Sequence, residues 1–249
     1  MSDPLSPHGA IRAITQARLN FGPPRFAADT AASLDFALDH ARAREAVESE
    51  LDVARLTAGL DAMGLPHDTV TSAAASRDVF ITRPDLGRQL PQDQADALSR
   101  HTPPDVAVVL GDGLSAIAIA LNGVAFVTEL SKSLSQDRLS IGPVILARQA
   151  RVGLGDGIAL ALGAKTVVMI VGERPGLSAA DGLGVYITQN PSAQTPDSAR
   201  NCISNVRAEG LPINDAARQT YDLIKEMRAL GCSGVALNQS RATNVLTSD

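Results

Sequence analysis

The sequence predicts an α/β fold: a Rossmann-like, doubly wound and mostly parallel sheet with a helical N-terminal portion. Three observations lead there. Short aliphatic runs at 106–110, 143–147 and 166–171 end in Gly, Asp, Arg or Glu, the profile of strands buried on both faces. Stretches with apolar residues at helical spacing alternate with those runs across short connections, which favours a parallel sheet. Residues 1–65 carry the helical pattern without any such run. The chain is therefore read as a helical portion, 1–65, followed by a Rossmann-like α/β domain, 66–249.

Taken in order, a short helix is expected around 7–19, closed by the Gly22-Pro23-Pro24 break. Residues 33–64 read as one long helix or as two with a bend near Ser49. Leu34, Ala37, Leu38 and Ala41 share a side, while Glu45, Glu48 and Glu50 lie among basic residues, as on a half-exposed helix. Gly64-Leu65-Pro66 ends that region. Val79-Phe80-Ile81-Thr82 reads as a short strand, followed by a loop at 83–88 and a helix at 92–99. The strand 106–110 closes on Gly111-Asp112-Gly113, and the Ala-rich stretch 114–130 is the helix after it. Strand 143–147 and helix 155–162 come next, then 166–171, the clearest strand of all. Residues 185–188 form a further strand, with Cys202 in the loop after it. Residues 214–230 make an amphipathic helix with Asn214 as its N-cap. Ile213, Ala217, Tyr221, Ile224 and Met227 form its apolar face, and Gly231 stops it. The tail 239–249 is expected to be weakly ordered.

With 45% hydrophobic residues, 249 residues can bury a large core, but 3% aromatic content and no Trp leave Ala, Leu, Val and Ile to fill it. A net charge of −5 without a basic face argues against a nucleic-acid partner. Cys202 and Cys232 form no disulfide framework and suit a reducing compartment. Residues 1–7 lack the basic and then apolar order of a signal peptide. Asp112, Asn122 and Lys165 interrupt the apolar stretches, short of the roughly 20 residues a membrane span requires. A cytoplasmic protein with no membrane partner is expected.

Open α/β sheets bind ligands at the carboxyl ends of their strands, so chemistry is sought there. Gly153-Leu154-Gly155-Asp156-Gly157 opens a helix after a strand, and Glu173 ends the next strand. That is a partial dinucleotide fingerprint, with glycines for the turn and a carboxylate for ribose hydroxyls. Ile158 stands where the third glycine belongs, and the link at 148–152 is longer than the tight turn allows. A glycine-rich helix start that packs closely is the plainer explanation, and a stand-alone nicotinamide-dinucleotide-dependent enzyme is the second reading. His8, His40, His67 and His101 lack paired-ligand spacing, and no metal site is expected. Cys202 has no adjacent Asp or His, so a structural cysteine outweighs a nucleophile. Gly111-Asp112-Gly113-Leu114-Ser115 lacks the spacing of a nucleophile elbow. Asp112 is read as a helix cap or as a group lining the binding edge. Arg83 and Arg88 are either anion or subunit contacts or parts of an exposed charged loop, and Arg174, at a strand end, leans toward function.

Five segments resemble, in the same order, those of one family. They are Leu34-Asp35-Phe36 with 39–44; Arg83 to Arg88; Asp112 to Ala116; Gly172-Glu173-Arg174-Pro175-Gly176-Leu177; and Asn201-Cys202-Ile203-Ser204-Asn205 with Gly210-Leu211. Over about 15–237 the chain resembles the ethanolamine ammonia-lyase small subunit. The resemblance implies an α/β subunit packed against a larger barrel subunit, with adenosylcobalamin enclosed at their interface. It implies radical conversion of ethanolamine to acetaldehyde and ammonia, in which the cofactor carries the hard chemistry and the protein seals the site. Substrate is expected to bind wholly in the large subunit, so this chain carries no catalytic residue and is inactive alone. The family's cofactor-contacting positions carry over to Val152, Glu173 and Cys202. Val152 would give an apolar wall, Glu173 would accept from amide N–H groups of the corrin rim, and Cys202 would pack as a small polarisable surface. No histidine occupies the Asp-x-His-x-x-Gly pattern of many cobalamin domains. The cofactor is therefore expected base-on, without a protein histidine ligand. The expected address is the cytoplasm, with a bacterial microcompartment as the alternative.

Overall fold

A computed structural model describes residues 30–176 and 179–246, with 10, 11 and 14. The expected helix at 7–19 lies outside the described residues apart from Ala10, Ile11 and Ile14, which are helical. The stretch read as one helix or two is two, α1 (Thr30–Glu48) and α2 (Val53–Ala62). They part at Ser49, whose hydroxyl donates to the Glu45 carbonyl (2.6 Å). Asp52 starts the second by accepting from the Arg55 amide (3.0 Å), the standard work of an N-cap.

The strands are β1 (His67–Thr71), β2 (Val106–Gly111), β3 (Val144–Arg148), β4 (Thr166–Gly172), β5 (Leu183–Gln189) and β6 (Asn201–Val206). They form one sheet in the order β1-β3-β2-β4-β5-β6. The first four in that order run parallel, and β5 and β6 are each antiparallel to the preceding neighbour. The mostly parallel sheet is the one predicted. The turn to antiparallel has a simple cause: the link 173–182 is too short for the crossover a parallel partner of β4 would need.

The helices of this part are α3 (Arg77–Thr82), α4 (Gln92–Leu98), α5 (Ala116–Gln136), α6 (Leu154–Leu162), α7 (Ile213–Leu230) and α8 (Val235–Leu246). Val106, Val108 and Leu110 face one side of the sheet, with Val168, Ile170, Val185 and Ile187, beneath α5, α7 and Leu56 and Leu60 of α2. Ala107, Val109, Val167 and Met169 face the other side, beneath Leu98 of α4 and Leu154 and Ile158 of α6. Cover on both faces is why these strands read as unbroken apolar runs. Past α6 that second face opens: Tyr186 of β5 is half-buried, and its cross-strand partner Cys202 on β6 is exposed.

Several expectations change. Val79–Thr82, rich in strand-favouring side chains, is part of helix α3, because Ser76 accepts from the Val79 amide (3.3 Å) and starts a helical turn there. Cys202 is in strand β6, not a loop. Of the tail 239–249, the part to Leu246 is helical, anchored by the buried Leu237 and by an ion pair from Arg241 to Glu226 of α7, and 247–249 lie outside the described residues. Asn214 does not cap α7, which starts after Pro212 with no side-chain cap; Gly231, at φ 71°, ends it as expected. Strand β1 was not foreseen. Helix α5, at 21 residues, is long and apolar enough to cross a membrane by length and composition, more than the sequence reading allowed. Here it is a core helix, with Ile119, Phe126, Leu130 and Leu134 buried.

Candidate functional site

The loops that leave β2, β3 and β4 at their carboxyl ends meet in a cleft of about 420 Å³, whose walls include Gly113, Arg151, Val152, Glu173, Arg174 and Tyr186. Two glycines set its floor. Gly113 takes a φ of 55°, the left-handed region that side chains avoid. A side chain at Gly172 would run into the carbonyl of Ser115. The Leu114 amide donates to the Gly172 carbonyl (3.0 Å), locking the β2 and β4 loops together.

Asp112 is completely buried beneath them. Its carboxylate accepts from the amides of Gln149 and Ala150 (2.8 Å each) and ion-pairs with Arg77 (3.4 Å). Burial pushes the carboxyl above its ordinary pKa, opposed by those amides and by the Arg77 charge. Asp112 is thus the clasp that shapes the β3–α6 loop, and neither of its expected roles holds. Ser115 is the cap of α5: it accepts from the Ala118 amide (3.2 Å) and donates to the Ala180 carbonyl (2.6 Å).

Arg151 and Arg77 both lie against the ring of the buried Phe80, their guanidinium carbons 4.2 and 4.7 Å from its centroid. Arg151 Nη2 donates to the Phe80 carbonyl (3.1 Å), while its Nε is buried with no hydrogen-bond partner among the described residues. Burial lowers the Arg151 pKa, and the charges of Arg77, Arg88 and Arg174 lower it further. Arg88 pairs with Asp197 (3.3 Å). Arg83 pairs with Asp85 (2.7 Å) in an exposed loop.

Glu173, half-buried, spans from the end of β4 to β6. Oε1 accepts from the Ser204 hydroxyl (2.5 Å) and Oε2 from the Asn205 amide (3.2 Å). It crosses β5 over Gly184, where a Cβ would come within 3.1 Å of Oε1. One donor per oxygen leaves each with acceptor capacity. Val152, also half-buried, stands on the same cleft. Cys202 lies beyond the rim on the same sheet face, opposite Tyr186. Although the residue as a whole is exposed, partial desolvation of its sulfur against the sheet raises the thiol pKa and the Glu173 charge adds to it, against a hydrogen bond from Tyr186. The Tyr186 phenol is pushed up to about 12, first by burial and then by Cys202 and Glu173. At neutral pH both are protonated, and a protonated thiol is a poor nucleophile.

Val152 and Glu173 therefore share one cleft, with Cys202 next to it. The glycine run has a packing explanation: a Cβ on Gly155 would meet Met169 of β4 at 3.2 Å, and one on Gly153 the stem of Arg88 at 3.3 Å. His67 and His101 sit at the β1 edge, near Asp61 (3.7 Å) and Asp68 (3.1 Å), and His40 lies beside Phe36 on α1. Among the described residues no three His, Cys, Asp or Glu side chains cluster as a metal site would. Sequence reasoning missed Arg77, Arg151 and Tyr186. The one available signal was position, since Arg151 immediately precedes Val152 in the link that follows a predicted strand.

The cleft's owner has clear relatives. The family described as ethanolamine ammonia-lyase light chain (EutC) matches residues 6–238. The chain is similar to the ethanolamine ammonia-lyase small subunit of Bradyrhizobium diazoefficiens, 45% identical over 248 residues, 97% of this chain and 95% of that one. The same-named protein of Rhodopseudomonas palustris is 42% identical over 239 residues, covering 95% and 92%. That of Pseudomonas fluorescens (strain Pf0-1) is 41% identical over 252 residues, covering 99% and 92%.

Proposed function

Since the chain belongs to the ethanolamine ammonia-lyase light chain family, we propose that its cleft holds one side of adenosylcobalamin while the large subunit covers the other. The chain is a subunit of a carbon–nitrogen lyase that degrades ethanolamine in a cobalamin-dependent reaction, and a small subunit implies a large one. The observation that carries the cofactor assignment is placement. Val152 and Glu173 stand on one cleft at the carboxyl ends of the parallel strands, with Cys202 on the adjoining open sheet face.

The residues present fit a corrin, which is broad, flat and fringed with amides. Val152 gives apolar wall. Glu173 is held still by Ser204 and Asn205, yet its oxygens can accept from amide N–H groups. Cys202 and Tyr186, both neutral, offer polarisable contact without a nucleophile that would attack a reactive species. His67 and His101 stand at the β1 edge and are not among the residues of the cleft wall that would hold the cofactor. When bound, adenosylcobalamin supplies a carbon-centred radical through homolysis of its cobalt–carbon bond. The work of this chain is to orient and to exclude water, and substrate chemistry belongs to the large subunit. A cytoplasmic address keeps Cys202 and Cys232 reduced.

Co-expression with the large subunit tests the reading. Glu173→Ala should weaken adenosylcobalamin retention by about tenfold, the worth of hydrogen bonds to a charged acceptor. Far-ultraviolet circular dichroism should be unchanged. Equal retention by variant and wild-type complexes, read from the absorbance of gel-filtered protein, would remove Glu173 from the site.

A further inference from the structure

We propose that Arg151 and Arg174 form an anion subsite in this cleft that takes a phosphodiester. Resting on the cobalamin reading, that group is the phosphodiester of the nucleotide loop, the sole anionic substituent of the cofactor. Both arginines stand on the cleft wall. Arg151 is preorganised, laid on the Phe80 ring and fixed through Nη2 to the Phe80 carbonyl (3.1 Å). Its Nε is buried and has no partner among the described residues. A buried donor left unpaired is costly, so an acceptor is expected to complete it. Arg174 is exposed and makes no ion pair among the described residues.

The surrounding charges leave room for one anion. Asp112, beneath, pairs with Arg77 (3.4 Å), and Arg88 pairs with Asp197 (3.3 Å). Glu173 is turned toward Ser204 and Asn205. Two arginines thus line the cleft against one carboxylate, on a chain whose net charge is −5. The planar donor fork of arginine suits phosphate oxygens. The amino end of α6, which has no side-chain cap, opens beside Arg151 and adds a favourable dipole. Division of labour follows, with Glu173 meeting amide arms and the arginines meeting the phosphodiester.

The test uses the complex of small and large subunits carrying Arg174→Gln or Arg151→Gln. The dissociation constants of hydroxocobalamin and of cobinamide, which lacks the nucleotide loop, are measured for each. Arg174→Gln should weaken cobalamin binding about tenfold, more so at low salt, and leave cobinamide within about twofold. Unchanged cobalamin affinity, or an equal loss for cobinamide, overturns the subsite. Should Arg151→Gln not fold, the exposed Arg174→Gln decides alone. A rise in melting temperature with inorganic phosphate that Arg174→Gln abolishes, at unchanged cobalamin affinity, would mark a free-phosphate site and overturn the nucleotide-loop assignment. A wild-type complex that binds neither corrinoid sinks the parent reading as well, whereas normal binding with indifferent variants sinks only the subsite.

Discussion

Asp112 shows how much of a binding edge can hang on one side chain that never touches a ligand. It gathers two loop amides and a buried guanidinium, so Asp112→Ala strands Arg77 in the interior and releases the β3–α6 loop. Breaking a buried pair from one side costs about 3–5 kcal/mol, and the urea midpoint should fall accordingly; a shift equivalent to less than about 1 kcal/mol would show that the clasp is decorative. Cys202 gives a test of a different kind. Its thiol pKa is raised by partial desolvation and by Glu173, so less thiolate is present at a given pH than in a free cysteine. Alkylation of Cys202 by iodoacetamide, followed by peptide mass, should reach half its maximal rate at higher pH in the native chain than in urea. Coincident profiles would deny the shift. Glu173 and Cys202 were singled out because each lies in a segment whose residue order resembles the family, whereas Val152 lies in none of the five. Arg77 and Arg151 were not, since their meaning depends on Phe80, and strand-like Val, Phe, Ile and Thr concealed the helix that carries Phe80.

Among the elements, sequence signals held where periodicity was long and failed where tertiary pairing decides. Strands β2, β3 and β4, buried on both faces, read cleanly, and so did α5 and α7. Strand β1 buries only Val70 and β6 only Ile203 and Val206, so neither has the apolar run that reveals a strand. Both are edge strands; β1 is defined by β3, a neighbour remote in sequence, and β6 by β5, the strand just before it. Helix α8 was hidden for the same reason, because its anchors are Leu237 and an ion pair to α7. Where a local signal does rule, it can be removed: Ser115 both caps α5 and holds the Ala180 carbonyl (2.6 Å). Ser115→Ala should cost about 2 kcal/mol, against about 1 for Ser76→Ala, which loses only its cap on α3. Equal losses in thermal unfolding would mean that the Ala180 contact contributes nothing.

At the scale of the molecule, the sheet is covered on both faces from β3 to β4 and opens on one face at Tyr186 of β5 and along β6, and that asymmetry fits a subunit whose ligand needs a second wall. A corrin laid against Val152 and Glu173 would leave its far side in water unless the large subunit closes over it, and radical chemistry requires a closed site. Deuterium exchange can locate the contact. On binding the large subunit, amides of the loops 149–153 and 173–176 and of β6 should slow by about tenfold or more, and adenosylcobalamin should slow them again. Helix α1, which exposes Leu34, Phe36 and Leu38, is the comparator, because a partner seated on those apolar side chains alone would protect α1 and leave the cleft loops unchanged. Protection of α1 without the loops would place the large subunit away from the cleft, and a cofactor enclosed between the subunits could not then lie against Val152 and Glu173.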